Sequence, residues 1–223
     1  MNSRFAPRSA SAFTLLELLV VIGIIGLVAT FAVPAIGTMI NGSTLTQASQ
    51  QLTTQLSMAR QYAVTKNRPV EVRFLKFGDP ETPGESASDP STGQFRAVQL
   101  MEVLESGVAV PFDQIKILPR TVIMDSLELS SLLDADAPYN RIAKTPDAKL
   151  DPEMPRGIKR QYVFASFRFQ PDGSTNLPPK TGWYVTLRQL KDKVKGKVPP
   201  PNFFTLQIDP VSGTTRPFRP NLG

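Results

Sequence analysis

The chain has 223 residues with no Cys and no His, which excludes disulfides, thiolate chemistry and imidazole as a general base or metal ligand. Its 21 Pro and 14 Gly argue for many turns and a strand-rich body rather than a helical bundle. The net charge of +6 is unevenly spread: residues 1–12 carry +2 from Arg4 and Arg8, residues 13–139 carry −5, and residues 140–223 carry +9.

The first element is the stretch from Phe13 to Ile40. Residues Leu18 to Ile40 hold no charge over 23 positions. At ~1.5 Å per residue that is roughly 35 Å of helix, enough to cross a hydrocarbon core of about 30 Å. The basic leader before it places the amino terminus in the cytoplasm and the rest of the chain outside. Glu17 is the exception in this stretch. A carboxylate at the edge of a membrane-spanning helix is costly, so it implies a partner and a role. Three other readings compete. A Sec signal peptide would be cut after Thr30-Phe31-Ala32, but Glu17 sits badly inside its apolar region and the run continues past the cut. A plain single-pass anchor would leave Glu17 without a purpose, and apolar runs this long are rare in soluble cores.

The residues Ser11-Ala12-Phe13-Thr14-Leu15-Leu16-Glu17-Leu18-Leu19-Val20-Val21-Ile22 resemble the processing site of type IV pilins and type II secretion pseudopilins. The family usually has Gly where this chain has Ala12. The resemblance implies that a membrane peptidase cuts between Ala12 and Phe13 and that the new amino terminus, Phe13, is methylated. It also implies that Glu17 pairs with the free Phe13 amine of a neighbouring subunit and so sets the register of a filament. The implied partners are the prepilin peptidase/methyltransferase, other pilin or pseudopilin subunits, an inner-membrane assembly platform and membrane lipid. Pro34, at a place where many pilins carry Pro, is expected to kink the helix.

Beyond Asn41-Gly42-Ser43, a weak point in helix propensity, Leu45, Ala48, Leu52, Leu56, Ala59 and Ala63 form one apolar stripe at helical spacing. The spacing predicts an amphipathic helix packed on the domain's own sheet, ended by Asn67-Arg68-Pro69. Val70, Val72 and Phe74 then alternate with Glu71 and Arg73, the period of a half-buried strand. The junction from Arg60 to Phe74 is similar to that of the H-type (GspH/FimT-like) minor pseudopilins and minor pilins.

Gly78 to Gly93 reads as a mobile polar hairpin connection, Gln94–Leu104 as a second strand, and 116–119 and 121–124 as short strand pieces. Residues 125–160 read as a Pro-rich insertion, mostly solvated loop, with a short helix over Ser126–Leu133. Its acids Asp134 and Asp136 lack the spacing of a calcium loop. Strands return at Tyr162–Phe169, Trp183–Arg188 and Phe203–Asp209, joined by a turn at Gln170-Pro171-Asp172-Gly173, a basic connection at Lys191–Pro201 and a closing Pro210-Val211-Ser212-Gly213. In size and Pro-rich insertion the chain also resembles the pilin-like Verru_Chthon cassette protein D group.

The expected fold is α+β, a long kinked amino-terminal helix, part transmembrane and part amphipathic, packed on an antiparallel sheet. Its parts are a leader (1–12), a transmembrane and assembly helix (13–40), an amphipathic helix (41–68) and a β-rich domain (69–223). No cofactor or metal is implied, and Glu102 and Glu105, in or near a strand, make no acid–base pair. The expected function is structural: a minor subunit that waits in the inner membrane and joins a periplasmic pseudopilus or an extracellular pilus. One alternative is a nucleic-acid-binding minor pilin of an uptake machine, using Lys191, Lys193, Lys195, Lys197, Arg216 and Arg219. Another is a membrane-anchored protein of different function. Mass spectrometry of membrane-purified protein is expected to find a mature chain starting at Phe13; a start at Val33, or an intact Met1, would refute the processing site.

Overall fold

The structure, a computed structural model, describes residues 14–126, 129–133, 145–147, 149–155, 157–194, 196 and 198–220; within these, the side chains of 31–41 fall outside the description. The chain divides into two compact units, residues 1–40 and 41–223. One helix, α1 (Leu15–Lys66), contributes to both. Pro34, where a kink is expected, lies within α1 among the residues whose side chains are not described.

The second unit is an α+β domain. Its sheet comprises β1 (Val70–Phe77), β2 (Gln94–Val103), β3 (Ala109–Pro111), β4 (Lys116–Ile117), β5 (Val122–Met124), β6 (Val163–Phe169), β7 (Trp183–Gln189), β8 (Phe203–Ile208) and β9 (Thr215–Phe218). The strand order is β6-β1-β2-β5-β7-β8-β9, with β3 and β4 also paired to β2, and all pairings are antiparallel. The far edge of β2 is shared by three short strands, so β2 meets β5 only at Phe95 opposite Met124. The sheet therefore has a seam there.

The α1 stripe covers that seam. Leu45, Ala48, Leu52, Leu56, Ala59 and Ala63 are all at most 1% exposed. They share one core with Val72, Phe74, Phe167 and Phe169 on one side of the seam and Val185, Leu187, Leu206 and Ile208 on the other. The helix stops where the sequence predicts. Asn67 adopts φ 51°, and the Arg68 N–H bonds back to the Ala63 carbonyl at 3.2 Å, a left-handed cap followed by Pro69. Near the same end, Arg60 Nε donates to the Gly173 and Ser212 carbonyls at 3.2 and 2.9 Å, tying two hairpin turns to the helix. Those turns meet so closely that a Cβ on Gly213 (φ +66°) would lie 2.1 Å from the Gly173 oxygen.

The expected alternation in β1 is corrected. Glu71 and Arg73 are 3% and 8% exposed, because the outer face of the sheet is covered as well. Met154, Ile158 and Tyr162 pack with Leu75, Phe77, Ala97 and Phe164 in a second apolar cluster. The cover comes from the 125–160 insertion, so its described part is not the solvated loop expected of it. Where a helix was expected at Ser126–Leu133, no helix is present among the described residues. Leu129, Leu132 and Leu133 are buried, while the Ser130 and Ser131 hydroxyls accept hydrogen bonds from the Thr186 and Tyr184 backbone at 2.9 Å. This segment thus serves the free edge of β7 beyond the end of β5. Asp134 and Asp136 lie outside the described residues.

The polar connection 78–93 joins β1 to β2 as expected, but it is internally bonded rather than loose. Asp89 caps a 3-10 turn (Pro90–Thr92), the Asp79 N–H donates to Glu85, and Glu85 pairs with the buried Arg96 at 2.7 Å. Strand β3 and strand β9 have no counterpart in the sequence reading. A fragment starting at Gly42 is expected to fold, and Leu52→Ala or Leu56→Ala within it should each lower stability by about 2–5 kcal/mol in denaturant melts.

Candidate functional site

The amino-terminal end of α1 begins with a reciprocal pair of hydrogen bonds. Thr14 stands just before the helix, and its Oγ1 accepts from the Glu17 N–H at 3.2 Å. Glu17 reaches back: its Oε2 accepts from the Thr14 N–H and from the Thr14 hydroxyl, both at 2.9 Å. This is a capping box, in which Thr and Glu three residues apart satisfy helix donors that have no intrahelical partner. The pattern Thr14-x-x-Glu17 before an apolar run is visible in the sequence, but the sequence reading gave Glu17 only an intersubunit role. Glu17 Oε1 takes no hydrogen bond among the described residues.

From Leu15 to Thr30 every side chain of α1 is exposed, Leu15 at 81% and Leu27 at 63% among them. The apolar surface is continuous around the helix, far beyond what single exposed residues on a soluble surface require. Among the described residues no helix is long and apolar enough to cross a membrane. The described side chains stop at Thr30 and resume at Gly42, so the span read from the sequence lies partly outside them. Ala12 and Phe13 lie outside them too.

Of the cations proposed for nucleic acid, Lys191, Lys193, Arg216 and Arg219 fall among the described residues. Lys191 and Lys193 are exposed in the connection after β7, while Arg216 on β9 lies opposite Gln207 toward the other end of the sheet. Arg219 is engaged, donating to the Thr46 hydroxyl at 2.9 Å. Lys195 and Lys197 lie outside the described residues. Among the described residues there is no group of three or more His, Cys, Asp or Glu placed to hold a metal ion.

A cluster of buried ion pairs lies on the outer sheet face. Arg73 sits between Glu71 (Nε to Oε1, 2.7 Å) and Asp151 (Nη1 to Oδ1, 2.5 Å), with its guanidinium 4.3 Å from the Phe164 ring centroid. Arg168 closes on the other Glu71 oxygen at 3.0 Å. Burial pushes the Glu71 carboxyl up, but the Arg73 and Arg168 guanidiniums outweigh it and hold it below the ordinary value of 4.5. Its stabilising share is therefore present above the unfolded-state pKa and is lost as pH falls through the lowered one. Burial, then the nearby Asp151 charge, pushes the Tyr162 phenol up to about 12. The arrangement fastens the insertion to the sheet; sequence reasoning missed it because Asp151 is 78 positions from Arg73.

Residues 7–33 match the family described as the prokaryotic N-terminal methylation motif. The segment contains the Ser11–Ile22 stretch that carries the resemblance read from the sequence and the Thr14–Glu17 cap. No curated protein matches the chain. Among solved structures, the chain is similar to the minor pseudopilin EpsH of the type 2 secretion system of Vibrio cholerae. That likeness has 8% identity and a TM-score of 0.42 over 79% of this chain and 98% of that one. A second EpsH structure gives 10% identity and 0.43 over 82% and 99%. The type IV minor pilin FimU of Pseudomonas aeruginosa gives 15% identity and 0.40 over 79% and 92%. At these scores the likenesses carry no argument of their own, and the α+β fold is read from the chain's own helix packing and strand pairing.

Arg73→Met is expected to cost about 3–5 kcal/mol at neutral pH, because it leaves Asp151 buried without its counter-charge and Glu71 with Arg168 alone. The cost should shrink in acid, where the stranded carboxylate protonates; denaturant melts at two pH values check both.

Proposed function

We propose that the chain is a prepilin-type subunit, held in the inner membrane by residues 18–40 until it joins a pseudopilus or type IV pilus-like filament as a minor, non-enzymatic component. The observation that supports this reading is the match of residues 7–33 to the methylation motif at a helix start capped by Glu17. The leader would stay in the cytoplasm and the domain from residue 41 onward would lie outside. The all-round apolar surface of Leu15–Thr30 needs either lipid or other apolar helices, and assembly exchanges the first for the second. Cleavage between Ala12 and Phe13 would leave Thr14 in place, so the cap survives processing. Glu17 would then play two parts. Oε2 stays with Thr14, while Oε1 faces the Phe13 amine of a neighbouring subunit and fixes the depth at which one helix meets the next.

Two substitutions test the charge with and without the cap. Glu17→Gln keeps a residue that completes a capping box but removes the charge; Glu17→Val removes both. Both variants are expected to reach the membrane at the level of the unaltered protein and to enter filaments poorly. Membrane fractionation and the composition of sheared or purified filaments check this. Normal incorporation of Glu17→Gln would show that the charge has no part in assembly.

A further inference from the structure

One end of the domain gathers the end of β7, the start of β8, the end of β9 and the α1 residues that follow the apolar run. Gln189, which closes β7, donates from Nε2 to the Thr44 hydroxyl at 3.2 Å. Arg219, just past β9, donates from Nη1 to the Thr46 hydroxyl at 2.9 Å, and its Nη2 lies 3.5 Å from Asn202 Oδ1. Phe203 opens β8 and Phe218 closes β9, with ring centroids 6.2 Å apart. The connection between β7 and β8 leaves and returns at this end.

Positive charge and exposed apolar surface occur there together. The sequence from Lys191 to Lys197 holds four Lys against one Asp. Lys191 and Lys193 are exposed, and neither makes an ion pair among the described residues. Arg219 is exposed too, and the bonds it makes leave guanidinium donors over. The acids Asp79, Glu81 and Glu85 belong to the β1–β2 connection, elsewhere in the strand order, and are already paired with Arg96 and Arg120. Val198 and Phe218 are 67% and 59% exposed. Cations beside exposed apolar side chains suit the boundary between lipid headgroups and acyl chains.

Connectivity says what this end faces. The uncharged run stops at Ile40, four residues before Thr44, and four residues span at most about 14 Å. An anchor formed by residues 18–40 therefore tethers the Lys191 end beside the bilayer surface. The opposite end, where Arg60 bonds the Ser212 carbonyl, is sixteen residues further along α1, roughly 24 Å of helix. We infer that Lys191, Lys193 and Arg219, with Val198 and Phe218, form a second membrane contact that binds the anionic phosphodiester headgroups of phospholipids. The inference rests on the membrane reading of residues 18–40. Phosphate oxygens pair with the three cations, and the two apolar side chains rest at the level of the upper acyl chains. Each Lys favours the docked domain about fivefold at an anionic surface. The contact would hold the waiting subunit in one orientation and be shed when it leaves the bilayer.

The test uses the full chain, which has no Cys of its own, carrying a single fluorophore-labelled Cys in lipid vesicles. At Val198→Cys, a nitroxide on the lipid headgroup is expected to quench strongly where about a third of the lipid is phosphatidylglycerol. Quenching should be weak in phosphatidylcholine alone or in molar salt. At Val211→Cys, toward the opposite end, it should be weak throughout. Lys191→Gln combined with Lys193→Gln should shift the docked population about 25-fold toward undocked without changing the melting temperature, and the double Lys→Arg variant should stay docked. Leu27→Cys with an acyl-chain nitroxide reports on the anchor separately. Quenching there without phosphatidylglycerol-dependent quenching at Val198→Cys would overturn this inference and leave the anchor standing. No quenching at Leu27→Cys would overturn both. Quenching at Val211→Cys as strong as at Val198→Cys would also overturn the inference. So would a DNA duplex that binds the chain in phosphatidylcholine and is lost in the double Gln variant, if Val198→Cys is indifferent to phosphatidylglycerol; the lysines would then belong to nucleic acid.

Discussion

The packing of Leu45, Ala48, Leu52, Leu56, Ala59 and Ala63 against the sheet is the interaction on which the domain depends. Two groups of strands meet at a single residue pair, Phe95 and Met124, so the ladder alone joins them weakly. The helix stripe contributes to one core with both groups. Burial of large side chains on each side of the seam makes one body of what the hydrogen bonding would leave as two. The three Ala positions matter as much as the Leu. Small side chains let the helix approach the sheet closely, while the Leu fill the spaces between strands. Arg60 extends the same logic from apolar to polar contact by holding two distant turns to the helix end.

The other face of the sheet is buried by different means. The insertion lays Met154, Ile158 and Tyr162 over Leu75 and Phe77, and this encloses charged residues that a one-sided sheet would leave in water. Enclosure makes pairing obligatory. Arg73 and Arg96 each meet carboxylates from elsewhere in the chain, Asp151 in one case and Glu85 in the other. The acids of both supposed loops thus serve as counter-charges. Gln99 lies in the same enclosed layer and receives no such complement.

The amino-terminal segment follows other rules. Its described side chains lie open on all sides, and its one charged group is turned inward to its own helix end. An apolar helix of this kind is stable as secondary structure, since its backbone bonds are internal. Its surface is not at rest in water. In the proposed filament, that surface supplies the drive for packing and Glu17 the choice of register, while the domain from residue 41 onward keeps a core of its own.

The sequence by itself determined whatever depends on neighbours along the chain. Helix periodicity named all six stripe residues, Asn67-Arg68-Pro69 marked the stop, and Gly173 and Gly213 marked the turns. The Thr14-x-x-Glu17 cap was equally legible, though its proximity to an apolar span drew the reading toward a partner outside the subunit. Tertiary structure alone decided which face of the sheet was free. Alternation in Val70–Phe74 shows that two faces exist, but only a segment some 80 residues later buries the second one. That segment has no period of its own. Its prolines break regular structure, and its few apolar residues are spaced by the contours of the sheet beneath them. The pairing of Arg73 with Asp151, and the isolation of Gln99, are set by which backbone happens to pass overhead, and no local pattern encodes it.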